Sequence, residues 1–143
     1  MSDSPSVASK SRPSAQSTAR SNDWPWPDSL DALQAAPDYH DLLLENDQVR
    51  VIYTHIPPGA LVPIHTHRWP SVAYLLSWSD FIRRDHQGNV LMDSRQAGEP
   101  PAMPSTSWLA PLPPHTVENI GAAEIRIFIV ELKTPSLELK VPL

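Results

Sequence analysis

Proline interrupts this chain so often that few folds are open to it. The 143 residues include 17 prolines but only 4 glycines. Because proline lacks a backbone N–H and has a fixed φ, it breaks both helix interiors and central strands. The sequence therefore favours short strands joined by stiff turns and argues against long helices. A chain of this length is typical of one domain with one core, and 41% of its residues are hydrophobic.

The composition excludes several classes of function. The chain has no cysteine, which rules out disulfides, thiolate metal ligands and a cysteine nucleophile. Its net charge is -5 and it has no lysine or arginine cluster, so we expect no nucleic-acid partner. No apolar run approaches the roughly 18–20 residues that span a bilayer, and the N-terminus lacks the apolar core of a secretory signal. We therefore expect a soluble cytoplasmic protein with no membrane partner.

The first 22 residues are rich in serine and nearly free of large aliphatic side chains. Such a segment buries too little apolar surface to offset its ordering entropy. We predict a disordered tail over residues 1–22 and a single domain over residues 23–143. A transit peptide is the alternative, but Asp3 and the lack of an amphipathic pattern argue against it. Trp24 and Trp26, on a frame of prolines, are predicted to pin the tail onto the body or, alternatively, to bind a partner.

After a short helix, the remaining signals are those of β-strands. The helix is predicted over residues 28–36, capped by Asp28 or Ser29 and ended by Pro37. The last strand is apolar on both faces and is predicted to be buried on both. Many short strands with regular turns are typical of a sandwich or barrel. The predicted strands are 40–44, 49–56, 62–67, 72–78, 79–84, 90–94, 106–109, 115–119 and 124–133, with a stiff turn at 111–114.

Three histidines are spaced as metal ligands. On a strand, His65 and His67 point to the same side with Thr66 opposite, and their Cα atoms lie roughly 6.5 Å apart. Two imidazoles at that spacing can converge on one ion, and Pro63 places their strand at an edge or bend. His115 follows a proline-stiffened turn that restricts its backbone. Three neutral nitrogens would leave positions open for water, oxygen or substrate.

These residues resemble the two sequence motifs of the cupin superfamily. Gly59, five residues and then His65-Thr66-His67 match the first motif, while His115 and Asn119 match the end of the second. The likeness covers about residues 42–133. It implies an all-β fold, a small double-sheet β-barrel or jelly roll with a divalent metal inside. It also implies His65, His67 and His115 as ligands, and a homodimer.

The chain departs from the family pattern at Ser71, which stands where the family has a glutamate ligand. The remaining set is similar to the three-histidine sites of thiol dioxygenases and of a diketone-cleaving dioxygenase, which are cupins that use ferrous iron. This similarity implies a non-haem iron oxygenase or a related small-molecule enzyme, with Fe, Mn, Ni or Zn as the ion. The alternative is a non-catalytic cupin that binds a small molecule or metal, or one whose histidines only line a pocket. No catalytic acid or base is assigned.

The other histidines are not predicted to be ligands. His55 shares a strand face with Val51 and Tyr53, which favours packing over metal binding. His40 and His86 are predicted to be exposed, His86 at the tip of a hairpin.

Four further residues near the predicted site have open roles. Glu118 has an odd offset from His115 and is predicted to point to the other face. Asn119 is predicted to belong to the turn that follows. Tyr74 and Trp108 are predicted either to line the cavity or to pack in the core.

Overall fold

The computed structural model describes residues 24–133. They form nine strands in two antiparallel sheets, which confirms the predicted all-β, double-sheet fold class. The strands are β1 His40–Glu45, β2 Val49–Ile56, β3 Leu61–His67, β4 Ser71–Ser77, β5 Phe81–Asp85, β6 Val90–Asp93, β7 Ser105–Leu109, β8 Leu112–Asn119 and β9 Ile125–Leu132. The predicted disordered tail, residues 1–22, lies outside the described residues. No helix within residues 24–133 is long and apolar enough to cross a membrane.

The two sheets face each other across the interior. The larger sheet has the strand order β1-β2-β9-β4-β7 and the smaller one the order β3-β8-β5-β6. Consecutive strands such as β3 and β4 therefore belong to opposite sheets, as in a jelly roll. Buried side chains from both sheets form the core, including Ile52, Val62, Ile125 and Ile129.

The last strand, β9, lies between β2 and β4 at the centre of the larger sheet. Its inward residues Ile125 and Ile129 are buried, but Phe128 on the other face is 36% exposed. The prediction of burial on both faces is therefore wrong for the outer face. Tyr74 and Trp108 also lie on that outer face, and Trp108 is 60% exposed. Neither residue lines the cavity or packs in the core.

The predicted helix over residues 28–36 is broken in two. A 3-10 turn, Asp28–Leu30, is followed by one α-helical turn, α1, Ala32–Ala35. Asp31 lies between them in an extended conformation and caps α1 by accepting a bond from the Leu33 backbone N–H at 3.1 Å. The cap is therefore Asp31 and not Asp28 or Ser29. The extended Asp31 also forms a parallel bridge with Thr66 of β3, which fixes α1 against that strand.

The tryptophans that precede this segment are both half-buried. The Trp26 ring packs on the His86 ring with centroids 5.9 Å apart. His86 itself is exposed in the turn between β5 and β6, as predicted. The contact of Trp26 and the partial burial of both tryptophans agree with the predicted packing of this segment on the body.

The prolines before His115 lie within a strand instead of in a separate turn. Strand β8 begins at Leu112 and includes Pro113 and Pro114. Its pairing with β3 is irregular on both sides of the His65–His115 pair, which accommodates the missing N–H groups. Strand β3 is an edge strand, as Pro63 predicted.

Asn119 closes the barrel at the end of β8. Its side-chain amide donates to the carbonyls of Ile56 at 2.9 Å and Ala123 at 2.8 Å, and its oxygen accepts from the Gly121 N–H at 3.0 Å. The predicted role of Asn119 in the turn is confirmed. Gly121 is required there because a Cβ would collide with the side chain of Ser79.

Candidate metal centre

Four imidazoles meet inside the barrel, and none is more than 6% exposed. His65 and His115 are cross-strand neighbours on β3 and β8, with ring centroids 4.3 Å apart. The His67 ring lies 5.1 Å from His65 and 5.9 Å from His115. His40 comes from the opposite sheet, 4.9 Å from His65 and 5.5 Å from His67. One ring nitrogen from each of His40, His65 and His67 lies within 4.8 Å of the others.

His40 is the member of this cluster that sequence reasoning missed. It was predicted to be exposed, and that prediction is wrong because it is 5% exposed. Edge strand β1 is otherwise exposed, but its first residue pairs with buried Thr54 and points inward with it. No local motif marks His40; only the pairing of β1 with β2 places it beside the HxH pair.

All four rings are held by a hydrogen bond at Nδ1. A backbone carbonyl or a carboxylate only accepts, so each Nδ1 carries the proton and each neutral ring keeps its lone pair on Nε2. The four Nε2 atoms are therefore available as metal ligands. The acceptors are the carbonyls of Ala36 for His40 (2.9 Å), Pro63 for His65 (2.7 Å) and Pro113 for His115 (2.7 Å), and Oε2 of Glu131 for His67 (2.8 Å).

Three of the four rings, those of His40, His65 and His115, are neutral at physiological pH because burial lowers their pKa values. Burial, with the charge of His67 adding to it, lowers the pKa of His40 to about 4. Burial and then the charges of His67, Arg83 and His40 lower the pKa of His115 to about 3. Burial and the neighbouring imidazoles lower the pKa of His65 further still. A metal ion requires deprotonated imidazole, so the fold holds these rings in the ligating form.

A chain of charges supports His67 from behind. Glu131 is 0% exposed and accepts from His67 Nδ1 at 2.8 Å and from Arg50 Nε at 2.8 Å. Arg50 also forms a two-pronged ion pair with Asp31, at 2.9 and 3.1 Å. A buried carboxylate is tolerated here because its charge and lone pairs are satisfied. A carboxylate behind a histidine is also the arrangement that orients metal-ligating imidazoles.

Glu131 brings a carboxylate close to the position where the first cupin motif has a glutamate and this chain has Ser71. Ser71 is buried and pairs with Glu131 across β4 and β9, so the two side chains share the inner face. The carboxylate therefore comes from the neighbouring strand, where it binds the ring of His67. Sequence reasoning missed it, although alternation along β9 places Glu131 inward with Ile127 and Ile129. A lone inward carboxylate on an apolar strand is a detectable signal that a buried partner exists.

A cavity of about 100 Å³ extends from the histidines into the apolar core. Its walls come from both sheets, and none of the residues described around it is an aspartate or glutamate. The polar groups at the wall other than the histidines belong to Thr54, Ser71, Trp78 and Arg83. The apolar lining includes Ile56, Val62, Leu75, Phe81, Leu109, Leu112, Val117, Ile125, Ile127 and Ile129.

Two other side chains have the roles predicted for them. His55 lies outside the cluster, stacked on Tyr53 at 5.3 Å and 3.1 Å from Asp41. Glu118 points away from the cavity and pairs with Arg84 at 2.9 Å.

The donor set fits a divalent metal ion. The ligands offered are neutral imidazole nitrogens, which suit Zn, Cu, Fe and Ni. Three buried histidines lie close enough to share one ion, and the adjoining cavity leaves room for a further ligand. This group contains His65 and His67 together with His40, and the predicted third ligand, His115, is adjacent to it. The assignment of His65, His67 and His115 as ligands stays a prediction.

Comparison with protein-family models finds no match, and comparison with curated proteins finds none either. Among solved structures, a cupin domain protein from Bordetella pertussis Tohama I is similar over 66% of this chain and 92% of its own, at 18% identity and a TM-score of 0.54. An RmlC-like cupin family protein from Methanocaldococcus jannaschii is similar over 71% and 84%, at 11% identity and a TM-score of 0.47. A polyketide cyclase from Streptomyces resistomycificus is similar over 73% and 72%, at 16% identity and a TM-score of 0.47.

At these identities the likeness concerns the fold. The Bordetella pertussis cupin domain, with a TM-score of 0.54, carries this likeness. The resemblance to the cupin superfamily is thereby confirmed at the level of the fold, and this chain is a cupin-fold protein.

Proposed function

We propose that this chain binds one divalent metal ion through His65, His67 and His115, with His40 as a fourth nitrogen ligand, and acts on a small molecule in the adjoining cavity. The observation that carries the proposal is the orientation of the four rings. Each Nδ1 is tied to an acceptor outside the cluster, so each Nε2 is left as a ligand. A packing role alone would not require four buried rings with the same tautomer.

The favoured activity is that of a metal-dependent oxygenase or a related small-molecule enzyme. When bound, the ion supplies Lewis acidity and, for iron, oxygen activation. The chain's own part is to hold His40, His65 and His115 neutral and to keep water away from the reacting groups. The largely apolar wall of the cavity supports the second role.

A non-catalytic binding protein is the second candidate. The observation that favours it is the absence of aspartate and glutamate from the described cavity wall. No side chain there is an obvious general acid or base besides the histidines, and these are engaged as ligands in the proposal. Glu131 cannot take that role while it bonds both His67 and Arg50.

Metal titration tests the site. Metal-free protein should bind about one equivalent of Zn(II), Fe(II), Mn(II) or Ni(II), and His65→Ala should abolish this binding. His86→Ala is the matched control, because His86 is an exposed histidine at a hairpin tip. Equal binding by wild type and His65→Ala would refute the proposal.

Oxygen uptake separates the two candidates. Iron-loaded protein is incubated with a panel of small thiols and diketones, and the His65→Ala variant provides the background rate. Uptake above that background supports the oxygenase. No uptake with any substrate, from a protein that binds iron, favours the binding protein.

The homodimer stays a prediction, and we propose that its interface is the outer face of the larger sheet. This face exposes the apolar side chains of Val72, Tyr74, Trp108 and Phe128, which makes it a patch of the kind that marks association surfaces. Sedimentation equilibrium should report a dimer for wild type and a monomer for Trp108→Lys. A monomeric wild type would refute this part of the proposal.

A further inference from the structure

Two buried side-chain nitrogen or oxygen atoms in residues 24–133 have no hydrogen-bond partner, and both belong to the wall of the histidine cavity. They are Oγ1 of Thr54 and Nε of Arg83. Buried polar groups in folded proteins almost always have a partner, so an unpaired one indicates a missing group. That two of them border the same cavity indicates a polar ligand inside it.

Arg83 differs from the other described arginines. Arg50, Arg84, Arg95 and Arg126 each have a hydrogen-bond partner, and Arg68 lies 3.9 Å from Asp28. Within the described chain the side chain of Arg83 has no hydrogen bond and no ion pair, and its guanidinium lies over the Phe81 ring at 5.8 Å. The Arg83 side chain is half-buried and its Nε is fully buried. Such a cation without an anion is costly, because an arginine cannot lose its proton in a protein.

The strand register explains why Arg83 faces inward. On β5, Arg83 pairs with Val117 of β8, and Val117 lines the cavity too. The next residue, Arg84, points to the other face and meets Glu118 at 2.9 Å. The outward Arg84 therefore has a carboxylate partner, whereas the inward Arg83 has none among residues 24–133.

The position of Arg83 brings it to the same cavity as the proposed metal site. Arg83 pairs with Val117, which lies two residues along β8 from His115 on the same face of the strand, and Arg83 and His115 both line the cavity. An anionic group on Arg83 would therefore lie on a molecule that also approaches the histidines.

We infer that the natural ligand of this cavity carries a carboxylate, which pairs with the guanidinium of Arg83 while its apolar carbons lie against the aliphatic wall. Carboxylate matches the planar fork of arginine with two parallel hydrogen bonds. A phosphate ester would need several donors, whereas the cavity offers Arg83 and the hydroxyls of Thr54 and Ser71. The inference deepens the proposed function, since it names the substrate class of the same site.

The size of the cavity sets the size of the probe. A cavity of about 150 Å³ holds benzene, so one of about 100 Å³ takes a molecule of about four to five non-hydrogen atoms. Propanoate and propanamide have this size and nearly the same shape, and they differ mainly in charge.

The test measures the dissociation constants of propanoate and propanamide by ligand-observed NMR, with the protein as purified and after removal of metal by a chelator. Wild type should bind propanoate about tenfold or more tightly than propanamide in both states, because a charge-assisted bond to Arg83 is worth about that factor. In Arg83→Met the ratio should fall to about one, and Arg83→Lys should give an intermediate ratio. Arg84→Met is the matched control and should keep the wild-type ratio.

Several results would overturn the inference. The inference is wrong if wild type binds propanoate and propanamide with nearly equal affinity, if Arg83→Met keeps the wild-type ratio of the two affinities, or if Arg84→Met loses that ratio to the same extent. Tighter binding of ethyl phosphate than of propanoate would refute the carboxylate class. The wild-type ratio needs no variant, so a misfolded Arg83→Met does not remove the test.

Metal content, measured on the same samples, separates this inference from the proposed function. A chain that binds no metal but keeps an Arg83-dependent ratio refutes the metal site and leaves the carboxylate site standing. A chain that binds metal but binds propanoate and propanamide with nearly equal affinity refutes the carboxylate site and leaves the metal site standing.

Discussion

The polar groups behind the four histidines have hydrogen-bond partners within the protein, whereas two of those in the cavity in front of the histidines have none among the described residues. Behind the rings, Glu131 and Arg50 are buried but each has charged partners and short hydrogen bonds. In the cavity, Thr54 and Arg83 present buried polar atoms that nothing in the described chain satisfies. The difference indicates that the rear of the site is completed by the protein itself, while the front is completed by something that enters it.

The largest effect, a loss of metal affinity, is expected when one of the histidine ligands is removed. Loss of the hydrogen-bond partner of a metal-ligating histidine already weakens metal binding by about 10–100-fold. Loss of the ligand itself, in His67→Ala, should therefore weaken metal binding by more than about 100-fold. His40→Ala and His115→Ala, tested in parallel by Zn(II) titration, should each weaken metal binding as well, because both residues are ligands in the proposal. Unchanged affinity in both would contradict the four-histidine site and leave only the HxH pair.

Removing the charge behind His67 should affect folding and metal binding together. Glu131→Gln leaves Arg50 with a single carboxylate, Asp31, and takes the anion from His67. Breaking a buried pair in this way costs about 3–5 kcal/mol, and metal affinity should fall by about 10–100-fold. Urea unfolding and Zn(II) titration measure the two losses. Glu118→Gln is the control, because its ion pair with Arg84 is half-exposed; an equal loss there would contradict a special role for Glu131.

Acid should destabilise the metal-free protein before most carboxylates titrate. The pKa of His40 is about 4 in the folded chain against 6.5 unfolded, chiefly because of burial. Between these values the unfolded chain binds the additional proton, so stability falls as the pH drops from about 6.5 towards 4. The shift corresponds to about 3 kcal/mol from His40 alone. The free energy of unfolding is measured from pH 7 to pH 5, and it should fall less steeply in His40→Gln. A flat profile in wild type would contradict a neutral, buried His40.

The smallest effect is expected in the cavity, and it has the opposite sign. Thr54→Val keeps the shape of the side chain and removes the hydroxyl whose oxygen has no partner. Removing an unsatisfied buried group should stabilise the ligand-free protein by about 1 kcal/mol. Thermal unfolding measures this change. Destabilisation by a similar amount would show that the hydroxyl has a structural partner, and Thr54 would then no longer count as an unsatisfied group of the cavity.

Sequence reasoning reached the fold and the HxH pair because both are local. Proline spacing and short apolar runs mark the strands, and His65 and His67 lie on one face through strand alternation alone. The predicted edge position of Pro63 follows from the same local chemistry.

The features that sequence reasoning missed depend on pairing between distant strands. His40 joins the cluster because β1 pairs with β2, and Glu131 meets His67 although 64 residues separate them. The split helix was missed because Asp31 bonds Arg50 and bridges Thr66, tertiary contacts that outweigh a weak helical preference. In each case a residue with an ordinary local context takes its role from a neighbour that only the fold supplies.

The central claim is a metal ion held by the histidine cluster. Its most direct test is a crystal structure of the zinc-loaded protein with anomalous diffraction data collected at the zinc edge. We predict one anomalous peak per chain, at about 2.0–2.1 Å from Nε2 of His65 and His67 and next to His40 and His115. No peak at the cluster, or a peak bound elsewhere on the chain while all four rings keep their present contacts, would contradict it.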